Sequence, residues 1–452
     1  MTQEIGTSAA EPDGAPRIAV MDILRGIAIL GILFMNINDM GQSLYASSDD
    51  IRHLGWSMGD QIAWWLREVL ANGTARCLLE MLFGVGMVIL TDRFATAASG
   101  WAVLRRYYVR NIVLFLFGVI HMYILLWPGD ILHSYGLAAL VAVFARSWRP
   151  RWLLVLGFSL ATFQLLAGGY FGYYQSVTKK AEVAAIEQRV QAGEKISPAD
   201  RKLLKKAAER KAERAKDKKE SIAQIAAEDK GRSADTWSWV KTQIDVSRDR
   251  FPAFMEIFVM WEAAGTMLIG AALFKLGIIQ GRRSRRYYLV MTLIAYGIAI
   301  PLRTIGAWEQ ASFSEGPHLF WVTYETARLL MTFGHIGLVH VIIGSAAGMR
   351  LLRPFEAAGK TALSVYIAQT LITLWVLFPP FGFHLYGKLT WGPLMLTALA
   401  INLVLLVLAN VYMRYLNIGP VEWAWRSIIE RQALPWRRGA RPSAQRVIPA
   451  AV

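Results

Sequence analysis

Two histidines and one aspartate stand close together in the sequence, beside a Pro-Gly turn that separates two apolar stretches. His121 ends the first stretch, Asp130 follows the turn Pro128-Gly129, and His133 begins the second stretch. A carboxylate that holds an imidazole fixes the tautomer of the ring and stabilises its protonated form, which makes the pair a general base near neutral pH. We predict that His121 and Asp130 are catalytic and that His133 contacts the substrate. The structural alternative is a histidine that only forms hydrogen bonds at the membrane interface.

The apolar stretches on both sides of this turn are long enough to be membrane-spanning helices. Hydrophobic residues form 55% of the 452 residues, among them 17 Trp and 20 Phe, and a helix of about 20 apolar residues crosses a bilayer. We therefore predict an all-α fold, a polytopic transmembrane helical bundle of about ten spans. The predicted spans are residues 18–40, 69–91, 107–126, 131–147, 151–174, 251–276, 286–307, 321–348, 358–379 and 389–413.

Positive charge predicts the orientation of these spans, because short cytoplasmic loops carry an excess of Lys and Arg. Alternate predicted loops are rich in these residues, and the loops between them are poor. The rich loops hold Arg93, Arg105, Arg106, Arg110, Arg146, Arg149, Arg151, Arg282, Arg283, Arg285, Arg286, Arg350, Arg353 and Lys360. Both termini are therefore predicted to be cytoplasmic, and the turn between His121 and Asp130 is predicted to face outward.

The overall charge and the cysteine count exclude several classes of function. The formal net charge is +16, and the arginines of the cytoplasmic loops and of the tail account for much of it. We therefore expect anionic membrane lipids as partners and no nucleic acid. The chain has one cysteine, Cys77, which excludes an intrachain disulfide and a cysteine metal cluster. We expect no metal cofactor.

A charged stretch, residues 175–250, interrupts the spans and is predicted to be an extracytoplasmic helical hairpin insert. Gly193 closes its first helix, Ser197-Pro198-Ala199-Asp200 begins the second, and Gly231 ends it. We favour a solvated spacer, and the alternative is contact with an anionic cell-envelope polymer or a partner. The other predicted regions are a disordered cytoplasmic N-terminus (1–16), spans one to five (17–174), spans six to ten (251–415), and a cytoplasmic amphipathic segment with a basic tail (416–452).

Further polar and ionisable residues lie within the predicted spans, where a charge is costly and each group needs a partner or a function. Two pairs have helical spacing, Asp22 with Arg25 and Arg76 with Glu80. The single residues are Asn36, Glu256, Glu262, Glu325, Arg328 and His335. Their spread over several helices suggests a polar cavity. The residues that we predict to bind substrate there are Asn36, Glu262, Arg328 and His335, together with His133.

Five stretches of the chain resemble, in order, the YeiB-like family of bacterial membrane proteins, also called the domain-of-unknown-function 418 family. They are residues 22–36, 82–86, His121 with 126–132, 359–366 and 419–426. The glycines of the second stretch are predicted to pack helices closely. The resemblance implies a multi-pass protein of the bacterial inner (plasma) membrane.

That family is similar to the transmembrane acyltransferase superfamily, which includes heparan-α-glucosaminide acetyltransferases and sugar O-acetyltransferases. The resemblance implies transfer of an acyl group from cytosolic acyl-coenzyme A, the co-substrate, to a cell-envelope sugar or lipid acceptor on the far side. His121, supported by Asp130, would deprotonate the acceptor. Asp22 and Arg25, at the cytoplasmic end, are predicted to bind the coenzyme.

Two other classes of function stay open at this stage. One is a transporter or exporter of a small polar or lipid-like molecule, since many spans with ionisable groups also suit transport. The other is a non-catalytic lipid-binding membrane protein. The sequence leaves the oligomeric state open as well, and a homo-oligomer is one possibility.

Overall fold

The computed structural model describes residues 19–95, 100–249, 253–314 and 316–437, and every structural statement below concerns these residues. The predicted N-terminal segment 1–16 and the tail beyond residue 437 lie outside them. Within the described ranges the chain forms nineteen α-helices and no strand, apart from one isolated bridge between Leu416 and Arg437. The predicted all-α fold is confirmed.

The helices fall into three groups along the chain. Those before the insert are α1 (Ala19–Gly41), α2 (Leu44–Asp49), α3 (Met58–Leu66), α4 (Thr74–Ala95), α5 (Gly100–Tyr123), α6 (Leu132–Ala142), α7 (Pro150–Gly157) and α8 (Ser159–Phe163). The insert forms α9 (Gln175–Gln191), α10 (Pro198–Ser233) and α11 (Thr236–Asp249). Those after it are α12 (Ala253–Lys275), α13 (Arg285–Ala311), α14 (Phe320–Ile343), α15 (Ala346–Leu352), α16 (Pro354–Lys360), α17 (Ala362–Ile372), α18 (Trp391–Tyr415) and α19 (Pro420–Glu430).

Six helical segments are long and apolar enough to cross a membrane, and up to eight if each of two bent helix pairs counts as one span. The bent pairs are Pro150–Gly157 with Ser159–Gln191, at 43°, and Pro354–Lys360 with Ala362–Leu377, at 86°. The predicted count of about ten is therefore not confirmed. The predicted third and fourth spans are not among these segments, because α5 carries Arg105, Arg106 and Arg110 and the segment Leu132–Ala145 is short.

Glycines allow helices of the bundle to approach each other at the backbone, where a larger residue would clash. A Cβ atom on Gly84 of α4 would lie 1.7 Å from the carbonyl oxygen of Met267 in α12, and one on Gly270 of α12 would lie 2.0 Å from that of Met81. The packing predicted for Gly84 is thus observed. Gly86 differs, because nothing lies within 4 Å of the position its Cβ would take.

The insert is anchored to one end of the bundle, which we call the insert end. The buried Glu228 carboxylate accepts hydrogen bonds from the Ser43 hydroxyl (2.5 Å) and the Leu44 backbone N–H (3.0 Å), which begin α2. Arg232, paired with Glu228 at 3.0 Å, donates to the carbonyl oxygens of Met40 (2.5 Å) and Gln42 (2.8 Å). One buried ion pair therefore satisfies unpaired groups at the end of α1 and at the start of α2.

This anchoring corrects the solvated spacer that we favoured from the sequence. The predicted N-cap is observed, since the Ser197 side chain accepts from the Asp200 backbone N–H with Pro198 in the first turn. However, α10 continues past Gly231 to Ser233. Residues 208–220 are all exposed, as a spacer would be, whereas Ile225, Glu228 and Arg232 are buried.

The two glycines of α4 give a matched test of this packing. We expect Gly84→Ala to destabilise the protein by about 1–3 kcal/mol, because the added methyl group must displace the α12 backbone. Gly86→Ala should leave stability unchanged or raise it by up to about 1 kcal/mol, since alanine favours a helix. Thermal unfolding in detergent measures both. Equal unfolding temperatures for the two variants would contradict the close α4–α12 contact.

The anchoring of the insert can be tested with two arginines of α10. Arg232→Met leaves the Glu228 carboxylate buried without its cation, so we expect a loss of about 3–5 kcal/mol and faster tryptic cleavage within the insert. Arg214→Met, in the exposed part of the same helix, is the control and should behave as wild type. If Arg232→Met also matches wild type in both assays, the insert is not held by this ion pair.

Candidate functional site

The Asp130 carboxylate lies at the insert end of the bundle, in the turn between α5 and α6. Each of its oxygen atoms holds one imidazole: Oδ1 lies 2.7 Å from Nδ1 of His121, and Oδ2 lies 3.0 Å from Nδ1 of His133. Oδ2 also accepts the His133 backbone N–H at 2.9 Å, in the first turn of α6. The structure thus brings together the three residues that the sequence singled out. All three are buried.

The protonation of this cluster follows from its hydrogen bonds. Burial by itself raises the pKa of the Asp130 carboxyl, but the hydrogen bonds from His121 and His133 outweigh this effect and hold the pKa at about 2. The carboxylate is therefore ionised and can only accept, so both Nδ1 atoms donate to it. In a neutral ring the Nε2 atom is then the acceptor, and it points away from Asp130.

A glycine of α5 leaves room for this cluster. A Cβ atom on Gly118 would lie 2.2 Å from the backbone nitrogen of His133 and 2.6 Å from Oδ2 of Asp130. Any side chain at this position would collide with both groups. The glycine therefore lets α5 lie directly against the turn and the start of α6, which is how His121 reaches the carboxylate.

The two imidazoles have different surroundings beyond Asp130. Nε2 of His121 lies 2.8 Å from the hydroxyl of Thr370 in α17, and both side chains are fully buried. Nε2 of His133 lies 3.1 Å from the Ser134 hydroxyl and 3.4 Å from a carboxylate oxygen of Glu256 in α12. Each ring is thus placed between a carboxylate and a hydroxyl group, the arrangement that activates hydroxyl nucleophiles in hydrolases.

A polar cavity of about 100 Å³ lies beside the Asp130 cluster. Asp130 and Ser134 line one part of it, and Arg76, Glu80 and Tyr135 line another. The volume is enough for several water molecules or for a small acyl group. His121, His133 and Thr370 are not among its lining residues. The polar cavity expected from the ionisable residues is thus present, and Asp130 and Ser134 are the members of the cluster that line it.

A network of buried ion pairs adjoins the cavity on the other side. Arg328 of α14 binds the Glu325 carboxylate through two nitrogen atoms, at 2.7 and 3.0 Å. It also reaches Glu80 of α4 at 3.2 Å and Glu262 of α12 at 3.0 Å. Arg76 pairs with Glu80 and with Glu262. Two guanidinium groups thus face three carboxylates, which leaves one formal negative charge.

Other predicted site residues lie elsewhere or make structural contacts. His335 is held at both ring nitrogens, by the Tyr296 hydroxyl at 2.7 Å and the Leu70 carbonyl at 2.9 Å, and does not reach the Arg328 network. Asn36 is half-buried in α1 and has no hydrogen bond to the described residues. Asp22 and Arg25 form an ion pair at 2.8 Å near the start of α1, and the Arg25 side chain keeps 34% of its surface exposed.

Sequence reasoning missed two hydroxyl residues of the cluster. Ser134 stands next to His133 in the sequence, so the adjacency of a hydroxyl and an imidazole was the available signal. Thr370 is 249 residues from His121 and had no such signal. Across the described ranges, no group of three or more His, Cys, Asp or Glu residues has the geometry to hold a metal ion.

Comparisons with known proteins agree with the sequence resemblance. Residues 273–432 match the model of the family described as "Protein of unknown function (DUF418)". YxaH of Bacillus subtilis is 27% identical over 417 residues, which cover 91% of this chain and 94% of YxaH. YeiB of Escherichia coli is 25% identical over 431 residues, 93% of this chain and 98% of YeiB. Both relatives are described as uncharacterised. No solved structure matches the chain.

Variants of the Arg328 network test whether the contributions of Arg328 and Glu325 to stability are coupled. Arg328→Gln leaves Glu325 buried without a guanidinium partner, so we expect a loss of about 3–5 kcal/mol in detergent unfolding experiments. The double variant Arg328→Gln/Glu325→Gln removes that charge too and should recover part of the loss. If the effects of Arg328→Gln and Glu325→Gln simply add, the two residues are not coupled as the structure indicates.

Proposed function

We propose that this protein, a member of the YeiB-like family of domain of unknown function 418, is a membrane acyltransferase whose proton acceptor is the Asp130 cluster. The observation that carries the proposal is the Asp130 carboxylate, which holds two imidazoles by Nδ1 and directs each Nε2 at a hydroxyl group. Acyl transfer requires this function, because an acceptor hydroxyl must lose its proton as it attacks a carbonyl.

The Asp130 cluster and Arg76 provide the proton acceptors and the positive charge that the reaction needs. His121, our predicted base, has a hydroxyl within 2.8 Å, and His133 has another within 3.1 Å. The ionised Asp130 would stabilise either ring when it takes up a proton. Arg76 lines the same cavity, where a guanidinium group would stabilise the negative charge that develops on the carbonyl oxygen.

The donor and the acceptor would reach the site from opposite faces of the membrane. In this proposal the insert end faces outward from the bacterial inner membrane and the termini are cytoplasmic, in line with the arginine-rich loops. The partly exposed Arg25, at the start of α1, would attract phosphates of acyl-coenzyme A. A sugar or lipid of the cell envelope would supply the hydroxyl on the outer side.

The second candidate function is proton-coupled transport, which the Arg328 network favours. On one side of the cavity, Glu256, His133 and Asp130 form a series of titratable groups joined by hydrogen bonds. On the other side, Glu80 lines the cavity and pairs with Arg328. Chains of buried carboxylates and histidines carry protons in pumps and transporters. This function would need the cavity to open alternately to each face of the membrane.

Acyl transfer is tested with purified protein and radiolabelled acetyl-coenzyme A, with a mixture of envelope sugars and lipids as acceptors. We expect wild type to label an acceptor. His121→Ala and Asp130→Asn should each lower the rate by at least about 100-fold, because each variant removes part of the cluster that takes up the proton. His318→Ala, in the loop between α13 and α14, is the control and should keep full activity.

The same preparations distinguish the two functions. Binding of acetyl-coenzyme A to the native state should raise the unfolding temperature of wild type as the ligand concentration rises. If wild type shows no shift at millimolar ligand and labels no acceptor, acyl transfer is refuted. Uptake of a solute into proteoliposomes that collapses with the proton gradient, and that Asp130→Asn abolishes, would establish transport instead.

A further inference from the structure

Ser134 is the one hydroxyl of the Asp130 cluster that faces the cavity. It lines the cavity together with Arg76, Glu80 and Asp130, whereas Thr370, the other hydroxyl, is fully buried against His121 and is not among the lining residues. An acyl group that enters the cavity would therefore meet the Ser134 oxygen atom. The hydroxyl of Tyr135, which also lines the cavity, donates to the Arg76 carbonyl at 3.1 Å, so Ser134 is the hydroxyl that lies next to an imidazole.

The hydrogen bonds of His133 place a proton acceptor beside the Ser134 hydroxyl. Burial lowers the pKa of His133, but Asp130 and Glu256 outweigh this effect and raise it above its usual value. When the ring is neutral, Nδ1 donates to the ionised Asp130 and Nε2 is an acceptor. Its neighbours are the Ser134 hydroxyl at 3.1 Å and a Glu256 carboxylate oxygen at 3.4 Å. In the neutral ring Nε2 can accept the hydrogen of the Ser134 hydroxyl. The hydroxyl thus lies within hydrogen-bond distance of an atom that can take its proton.

Glu256 provides the next position for that proton. Once Nε2 of His133 is protonated it can donate, and the Glu256 oxygen 3.4 Å away becomes its acceptor. The Glu256 side chain keeps 26% of its surface exposed. The charge formed on His133 is therefore stabilised from both sides, by Asp130 at Nδ1 and by Glu256 at Nε2.

We propose that Ser134 carries the acyl group as an ester during the reaction, an inference that rests on the acyltransferase function proposed above. The Ser134 oxygen attacks the thioester carbonyl, a C–O bond forms, and His133 takes the hydroxyl proton. The C–S bond then breaks, and the coenzyme thiolate leaves with that proton as a free thiol. An acceptor hydroxyl next attacks the serine ester, His133 takes its proton, and the C–O bond to Ser134 breaks as the proton returns to the serine oxygen.

This mechanism divides the roles of the two histidines. His133 touches the reacting hydroxyl, whereas His121, enclosed with Thr370, holds the other oxygen of Asp130 in place. Loss of His133 should therefore abolish ester formation. Loss of His121 acts through the orientation of Asp130, and should slow both half-reactions together.

The test is to trap the ester without an acceptor. Full-length protein in detergent is mixed with radiolabelled acetyl-coenzyme A, quenched in acid and digested, and the peptides are examined by mass spectrometry. We expect one acetyl group on the peptide that contains Ser134, and a burst of free coenzyme thiol equal to the enzyme present. Ser134→Ala and His133→Gln should lose both signals. Thr91→Val, at a buried hydroxyl of α4 that donates to the Met87 carbonyl, is the control and should keep the label.

Two further results keep this inference separate from the function on which it rests. Ser134→Cys should retain the label as a thioester, which neutral hydroxylamine releases faster than the serine ester. If Ser134→Ala transfers acetyl groups to acceptors at the wild-type rate, the serine ester is refuted while acyl transfer stands. If wild type shows neither label nor transfer, the proposed function fails and the inference fails with it.

Discussion

Charge buried in an apolar bundle must be satisfied by other protein groups, and this requirement organises the structure around Asp130. A carboxylate in such surroundings is tolerated only with several hydrogen-bond donors. Asp130 has three, the Nδ1 atoms of His121 and His133 and the backbone N–H of His133. These donors come from the end of α5 and from the first turn of α6, so the relative position of the two helices is fixed by one side chain. The remaining ring nitrogens then extend the contacts to α12 and α17.

The same requirement is met differently at two other buried ion clusters. The Arg328 network joins α4, α12 and α14 through guanidinium–carboxylate pairs that leave one carboxylate in excess. The charges of Glu228 and Arg232 cancel, and the two side chains also form hydrogen bonds with backbone groups at the end of α1 and at the start of α2. The Glu228–Arg232 pair therefore has a structural role. The Asp130 cluster and the Arg328 network, by contrast, line the same cavity, which gives a small molecule room to contact their side chains.

The sequence predicted contacts between residues that are close along the chain, and it did not predict contacts between residues that are far apart along the chain. The Pro-Gly turn placed His121 beside Asp130, and helical spacing paired Arg76 with Glu80, because both contacts join neighbours along the chain. The Thr370 contact and the docking of the insert join segments more than a hundred residues apart, and composition does not encode them. The count of ten spans is not confirmed, because arginines in α5 and the shortness of α6 interrupt the apolar pattern that marks a span.

The docked insert also bears on the geometry of the site. Leu126, in the turn before Asp130, has a positive φ of 63°, a conformation that costs a leucine about 1–2 kcal/mol. Such a residue keeps this conformation only when its surroundings hold it. Gln243 of α11 donates a hydrogen bond to the Leu126 carbonyl at 3.0 Å, and both side chains are buried. The insert therefore helps to hold the turn that places Asp130. Its exposed residues 208–220 make no such contribution, since they lie apart from the bundle.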